Sequence, residues 1–318
     1  MIAALLALGR GAFSLLAVMT GVFVLIHLAP GGAAAALAGD FATAETQAAL
    51  RESFGLDRPL LGQYLTFLGQ FAQGDWGYSY HFRRPVSAVI AERLPATIAL
   101  MVPALLIATA AGTWLGVRVL PGRFGPAVRA GAIAIHALPI FWLGQVLMLV
   151  FGLELGWFPL SGMHGAREEV TGLRAVVDVA AHAALPVLAL SLHQTAFFLM
   201  VVGAKASVEL EQEYVHAARA RGLTPFAIRW GHVLRNVLPQ LTGAVLGRIG
   251  VCCTGAVLVE TVFAWPGIGR LLATALQSRD HPLLLGVLTV IAALTISASV
   301  LTDWIVRAID PRIREATQ

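Results

Sequence analysis

Ionisable and metal-ligating side chains set inside long apolar runs are the first residues of this chain to ask for chemistry. Arg248 and Glu260 stand in one such run, twelve residues apart. On a helix of 3.6 residues per turn that spacing leaves them about 120° out of phase, so they cannot pair with each other. Each needs another partner, water or a function, because a charge in apolar surroundings is costly. Arg248 is a candidate contact for a solute, with helix packing as the alternative. Glu260 is read mainly as a tie between its helix end and the Trp265-Pro266-Gly267 turn. His27, His136, His182 and His193 are also placed in or near apolar runs and raise a transition-metal relay, against the plainer reading of packing histidines with satisfied hydrogen bonds. Arg248, Glu260 and His193 are together the candidate path residues. Cys252 and Cys253 are adjacent, so their side chains diverge on a helix, and two cysteines make no disulfide framework or CxxC motif. Asp303 and Arg307 have the i, i+4 spacing of a helical ion pair. The chain has no GxxxxGK[ST], HExxH or GxSxG, and its serines have no evident base. ATP binding in the Walker manner and hydrolytic catalysis are therefore not expected, and no catalytic residue or cofactor is assigned.

The elements that would position these groups follow from composition. Of 318 residues, 58% are hydrophobic and 13% charged, the profile of a polytopic membrane protein. The net charge of +4 reflects arginines in loops, so nucleic acid is not an expected partner. Apolar runs at Gly11–Ala29, Ala96–Val117, Ala130–Leu153, Ala180–Ala204, Leu241–Phe263 and Leu283–Val306 predict six transmembrane helices. A cleaved signal peptide ending near Ala36-Leu37-Ala38 is the alternative for the first run. The organisation expected is residues 1–29 as N-terminal region and first helix, 30–95 as an external segment, and 96–318 as a five-helix core. Arg118, Arg123 and Arg129, with Arg307, Arg312 and Arg314, put the short loop and the tail on the cytoplasmic side, with both termini there. Arg83, Arg84 and Arg93 run against that rule in a long loop, where it is weak. Pro103, Pro139 and Pro186 fall within helices as packing kinks or hinges.

One polar stretch, residues 205–239, interrupts the apolar second half. Val208–Ala220 reads as a helix that brings Glu213, Ala217 and Ala218 together, and Gly222 ends it with a left-handed residue. Thr224 and Pro225 announce a second helix as N-cap and first residue, and Pro239 is expected to close it. Two helices around a glycine could suggest a DNA-binding helix-turn-helix, but the membrane-length runs on both sides argue against that. A solvated basic loop is the bland alternative. Small residues at Ala217, Ala218 and Ala220 would let another protein approach closely, with Glu213, Arg219 and Arg221 as rim charges.

Glu213, Ala217, Ala218 and Gly222, followed by Leu238-Pro239, resemble the EAA motif of ABC-importer permeases. An ordered set extends the resemblance over nearly the whole chain: Pro30-Gly31, Gly55-Leu56-Asp57-Arg58-Pro59, Gly74-Asp75-Trp76-Gly77, Arg93-Leu94-Pro95-Ala96-Thr97, Phe141-Trp142-Leu143-Gly144, Gly156-Trp157-Phe158-Pro159, the run from Val262 to Arg270, Arg279-Asp280 and Asp310-Pro311-Arg312. It looks like a dipeptide/oligopeptide/nickel permease. Gly32 stands where an acidic residue is usual, and the spacing from Arg235-Asn236 to Pro239 is one residue short of many members, departures that bear on substrate subtype. The resemblance implies an all-α type I importer permease in the bacterial inner membrane. It would pair with a similar permease, two ATPases that bind ATP and Mg, and a periplasmic or lipid-anchored substrate-binding protein. Glu213, Ala217, Ala218, Arg219, Arg221, Gly222 and Leu223 would then contact the ATPases. Peptides are the expected cargo, nickel or a metal chelate the alternative. A secondary transporter is the competing class, but it has no need of a two-helix cytoplasmic knob.

Overall fold

The computed structural model describes residues 2–28, 59–165 and 171–309. Helix α1 is Ile2–Leu28 and α2 is Leu60–Ala72, followed by a two-stranded hairpin, β1 Tyr78–Ser79 and β2 Arg84–Pro85. Then come α3 Val86–Arg118, the bent pair α4 Gly125–Ala137 and α5 Ile140–Glu154, α6 Leu173–Leu210, α7 Glu213–Ala220, α8 Pro225–Val262, α9 Ile268–Gln277 and α10 His281–Ile309. Among the described residues, α3, α6, α8 and the part of α10 up to Leu301 are long and apolar enough to cross a membrane. The α4–α5 pair adds a fifth span if taken together, and α1 contains a shorter apolar segment, Gly9–Leu25.

The run expected as one helix over Ala130–Leu153 is instead broken, with a bend of 102° between α4 and α5. Pro139 causes it. Proline lacks the N–H a helix needs and drives the residue before it out of helical space, and Leu138 is extended at φ −74°, ψ 135°. The second half of α5, Met148–Glu154, is π-helical. Pro186 sits inside the continuous α6, and Pro103 inside α3.

The chain divides into two compact units. In the first, residues up to Thr97 join Pro266–Ile296. Phe23 of α1 meets Tyr64 and Phe67 of α2 at ring-centroid distances of 5.2 and 5.8 Å. Val86, Val89 and Ile90 pack with Ile268, Leu271, Leu283 and Val287 in one apolar core. That packing is close enough that a Cβ on Gly286 would lie 2.5 Å from the Val86 side chain. Asp280, fully buried, pins the hairpin to the α9–α10 turn. Its carboxylate accepts from Ser79 Oγ at 2.5 Å and His81 N at 3.0 Å, and caps α10 by accepting from Leu283 N at 3.2 Å. Burial, and then the Asp280 charge, push the Tyr80 phenol up to about 12.

In the second unit, Ile98–Trp265, small residues let α3 meet α6 closely. A Cβ on Gly112 would fall 2.6 Å from that of Phe198, and one on Gly116 2.8 Å from Val202 Cγ1. This is the close approach that a glycine-xxx-glycine spacing permits between apolar helices. Ala108, Val117, Phe198, Val202 and Ala206 continue into Val215, Ala218, Ile228, Val233, Val237 and Leu241 as one core. That core carries the polar stretch on its end.

Candidate functional site

The polar stretch is built on the ends of two membrane-length helices. Helix α6 runs through to Leu210, so the predicted single helix over Val208–Ala220 is interrupted. Gln212 is extended at φ −75°, ψ 151°, and α7 starts afresh at Glu213. Gly222 has φ +80°, a left-handed conformation, and the Leu223 N–H returns to the Ala218 carbonyl at 3.2 Å. Thr224 caps α8 as its type and position predict, accepting from Ala227 N at 3.2 Å, with Pro225 first in the helix. Pro239 does not end that helix, which continues to Val262. The proline is exposed, so the carbonyl it leaves unbonded four residues back can be solvated, and a π-helical stretch at Ile228–Val233 precedes it.

Val215 and Ala218 are the buried feet of α7. Glu213, Ala217, Arg219 and Ala220 form its exposed face, continued by Arg221, Gly222 and Leu223. Phe226, 69% exposed, adds an aromatic surface beside them. Thus Ala218, grouped by spacing with Glu213 and Ala217, points into the core. A cavity of about 690 Å³ lies alongside, lined among others by Pro121, Ser207, Glu211, His216, Leu223 and Arg229.

A polar latch that the sequence reading missed holds this module to its helices. The buried Glu209 carboxylate accepts from Lys205 Nζ at 2.8 Å, Tyr214 Oη at 2.6 Å and Asn236 Nδ2 at 3.2 Å. Asn236 also donates to Tyr214 Oη at 3.0 Å. One carboxylate therefore ties α6, α7 and α8 together. Burial, and then the bond to Glu209, raise the Tyr214 phenol above its ordinary pKa. The Lys205–Glu209 spacing was legible in the sequence; the contributions of Tyr214 and Asn236 depend on the turn at Gln212.

The intramembrane candidates separate. Arg248 and His193 fall in one cluster. Arg248 Nε donates to Gln194 Oε1 at 2.8 Å, its guanidinium lies 4.2 Å from the Phe197 ring centre, and the His193 and His136 rings are 4.7 Å apart. Glu260 is elsewhere, fully buried, and its backbone carbonyl accepts from Trp265 N at 2.9 Å at the turn ending α8. That bond is made by the backbone of Glu260 and leaves the role of its carboxylate open. His182, eleven residues before His193 on α6, is apart from the His136–His193 pair; its Nδ1 is 2.8 Å from the Asp178 carbonyl, and the Asp178 carboxylate also faces His164 at 3.8 Å. Among the described residues, no group of three or more His, Cys, Asp or Glu could hold a metal ion. The side chains of His27, Asp303 and Arg307 lie outside the described residues. So do Pro30-Gly31, Gly32, Ala36-Leu37-Ala38, Gly55-Leu56-Asp57-Arg58 and the tail with Asp310-Pro311-Arg312 and Arg314.

Residues 108–315 match the family described as binding-protein-dependent transport system inner membrane component, and residues 1–101 match the N-terminal region of such membrane components. The chain is 33% identical over 312 residues to the di/tripeptide transport system permease protein DppB of Pseudomonas aeruginosa, covering 92% of each chain. It is 31% identical over 313 residues to the dipeptide transport system permease protein DppB of Escherichia coli, again covering 92% of each.

Proposed function

The chain belongs to the binding-protein-dependent transport system inner membrane component family, and from that premise we propose that it is the permease subunit of a peptide importer driven by partner ATPases. Its multi-pass helical architecture and its class, a membrane permease of an ABC importer, follow from the family. Peptide cargo is supported by the names of full-length relatives, di/tripeptide and dipeptide permeases. The partners in this reading are a second permease of the same kind, two ATPase subunits that bind ATP and Mg, and a substrate-binding protein outside the inner membrane. Both termini face the cytoplasm.

The observation that carries the mechanism is the exposed face of α7 and its turn, mounted on α6 and α8 by a packed core and the Glu209 latch. Glu213, Ala217, Arg219, Arg221, Gly222 and Leu223 offer a low, charged-rimmed knob to an ATPase, with Phe226 as an apolar anchor. ATP binding brings the knobs of the paired permeases together. The displacement passes to α6 and α8, which open the path outward, and hydrolysis reverses it.

The test is ATPase activity and uptake by the reconstituted importer, with loaded binding protein and a labelled dipeptide. Glu213→Ala and Gly222→Pro are expected to lower ATPase attachment or its stimulation. Unchanged assembly, stimulation and uptake in both variants would reduce this stretch to a loop.

A further inference from the structure

Among the described residues, Arg248 is a cation without a counter-ion. Its helix, α8, is of membrane-crossing length, and among the described residues no carboxylate lies within ion-pair distance of the guanidinium. Glu260, on the same helix, is about 18 Å further along the axis at 1.5 Å per residue. A charge placed so far from compensation is retained for what it binds.

The cluster is also built to aim that charge. Gln194, 1% exposed, accepts a hydrogen bond from Nε–H through its Oε1, and Phe197 lies under the guanidinium face. Fixing one edge and one face leaves the Nη edge to engage something else. Nη2 is buried with no hydrogen-bond partner, and so is His136 Nδ1, whose ring abuts that of His193. The oriented guanidinium thus keeps one unsatisfied donor of its own, and His136 Nδ1 is a second unsatisfied polar atom of the cluster, a pair of groups suited to a planar anion.

We propose that Arg248, oriented by Gln194 and Phe197 and flanked by His136 and His193, holds the C-terminal carboxylate of a peptide in transit. This rests on the peptide-importer reading above. The chemistry fits a carrier that handles many sequences, since every unmodified peptide has this carboxylate whatever its side chains. A guanidinium edge receives it with paired N–H donors. Arg248 touches the cargo; Gln194 is a positioning residue.

The experiment compares uptake of a dipeptide and its C-terminal amide by the reconstituted importer, each at a concentration that saturates the binding protein. The same binding protein serves every variant, so its own preference cancels in the acid-to-amide ratio. Arg248→Gln is expected to lower that ratio about tenfold or more, the value of a charge-assisted hydrogen bond. Arg248→Lys should keep part of the preference. Gln194→Leu, which leaves the charge in place, should lower the ratio less and serves if Arg248→Gln fails to assemble. An unchanged ratio in assembled variants overturns the proposal. So does equal loss of acid and amide uptake with loss of permease pairing, which would make Arg248 a contact for a partner subunit. If the wild type takes up neither peptide, the peptide reading itself fails.

Discussion

Tyr214 donates its phenol to Glu209 at 2.6 Å across the turn that separates α6 from α7. The same carboxylate holds Lys205 one turn back and Asn236 on α8, so the exposed knob and both helices beneath it share one acceptor. A push on α7 is therefore delivered to α6 and α8 rather than absorbed by the turn at Glu211–Gln212.

Tyr214→Phe tests that transmission. Removing the hydroxyl leaves Glu209 with Lys205 and Asn236 but cuts the tie from α7 to that carboxylate, at a cost of about 1–2 kcal/mol, while Val215 and Ala218 stay packed. Stimulation of ATP hydrolysis by loaded binding protein should fall, while ATPase subunits still copurify with the permease. Glu209→Leu should be more severe, since it strands the donors of three residues.

Gly222 tests the geometry of the knob. A Cβ there would meet nothing within 4 Å, so the penalty of Gly222→Ala is the left-handed backbone alone, about 1–2 kcal/mol. Gly222→Asn should recover part of it. Thermal unfolding of the purified permease would report both.

Asp280 tests the hairpin anchor. Asp280→Ala leaves the Ser79 hydroxyl and the His81 and Leu283 amides without their acceptor in a buried site, a loss of about 2–4 kcal/mol. Proteolytic cleavage between Tyr80 and Arg84 should accelerate with it. Ser79→Ala, which removes one of the donors, should have a smaller effect.

Tyr80 gives a pH signature. Its pKa is raised from 10.0 to about 12 in the folded protein, so folding favours the neutral phenol. The contribution is complete below the unfolded value and is lost as pH climbs through the window from 10 to 12. Ultraviolet titration should show a tyrosine ionising near 12, and Tyr80→Phe should remove that component.

Much of this was legible in residue order and type because it rests on local chemistry. Thr224-Pro225 marks a helix start and Gly222 a left-handed stop, and both stand where those rules put them. The membrane-length runs at α3, α6, α8 and α10 are a matter of composition. What residue order did not disclose depends on non-local partners. The break at Gln212 takes its sense from Tyr214 reaching back to Glu209, and Pro239 is tolerated because its face of α8 is exposed. Likewise, Arg248 and His193 were grouped as path candidates together with Glu260, which lies elsewhere, while Gln194 and Phe197 look like ordinary helix residues until α6 and α8 are packed.

The central claim, that the α7 knob couples this permease to an ATPase, is tested most directly at Ala217. Its side chain is exposed on the knob and lies outside the apolar core beneath it, so Ala217→Trp adds bulk to the docking face without disturbing the Val215 and Ala218 feet. The measurement is ATP hydrolysis by the reconstituted importer with and without loaded binding protein. Ala217→Trp is expected to fold and pair normally but to lose the ATPase or its stimulation. Full stimulation in that variant would contradict it.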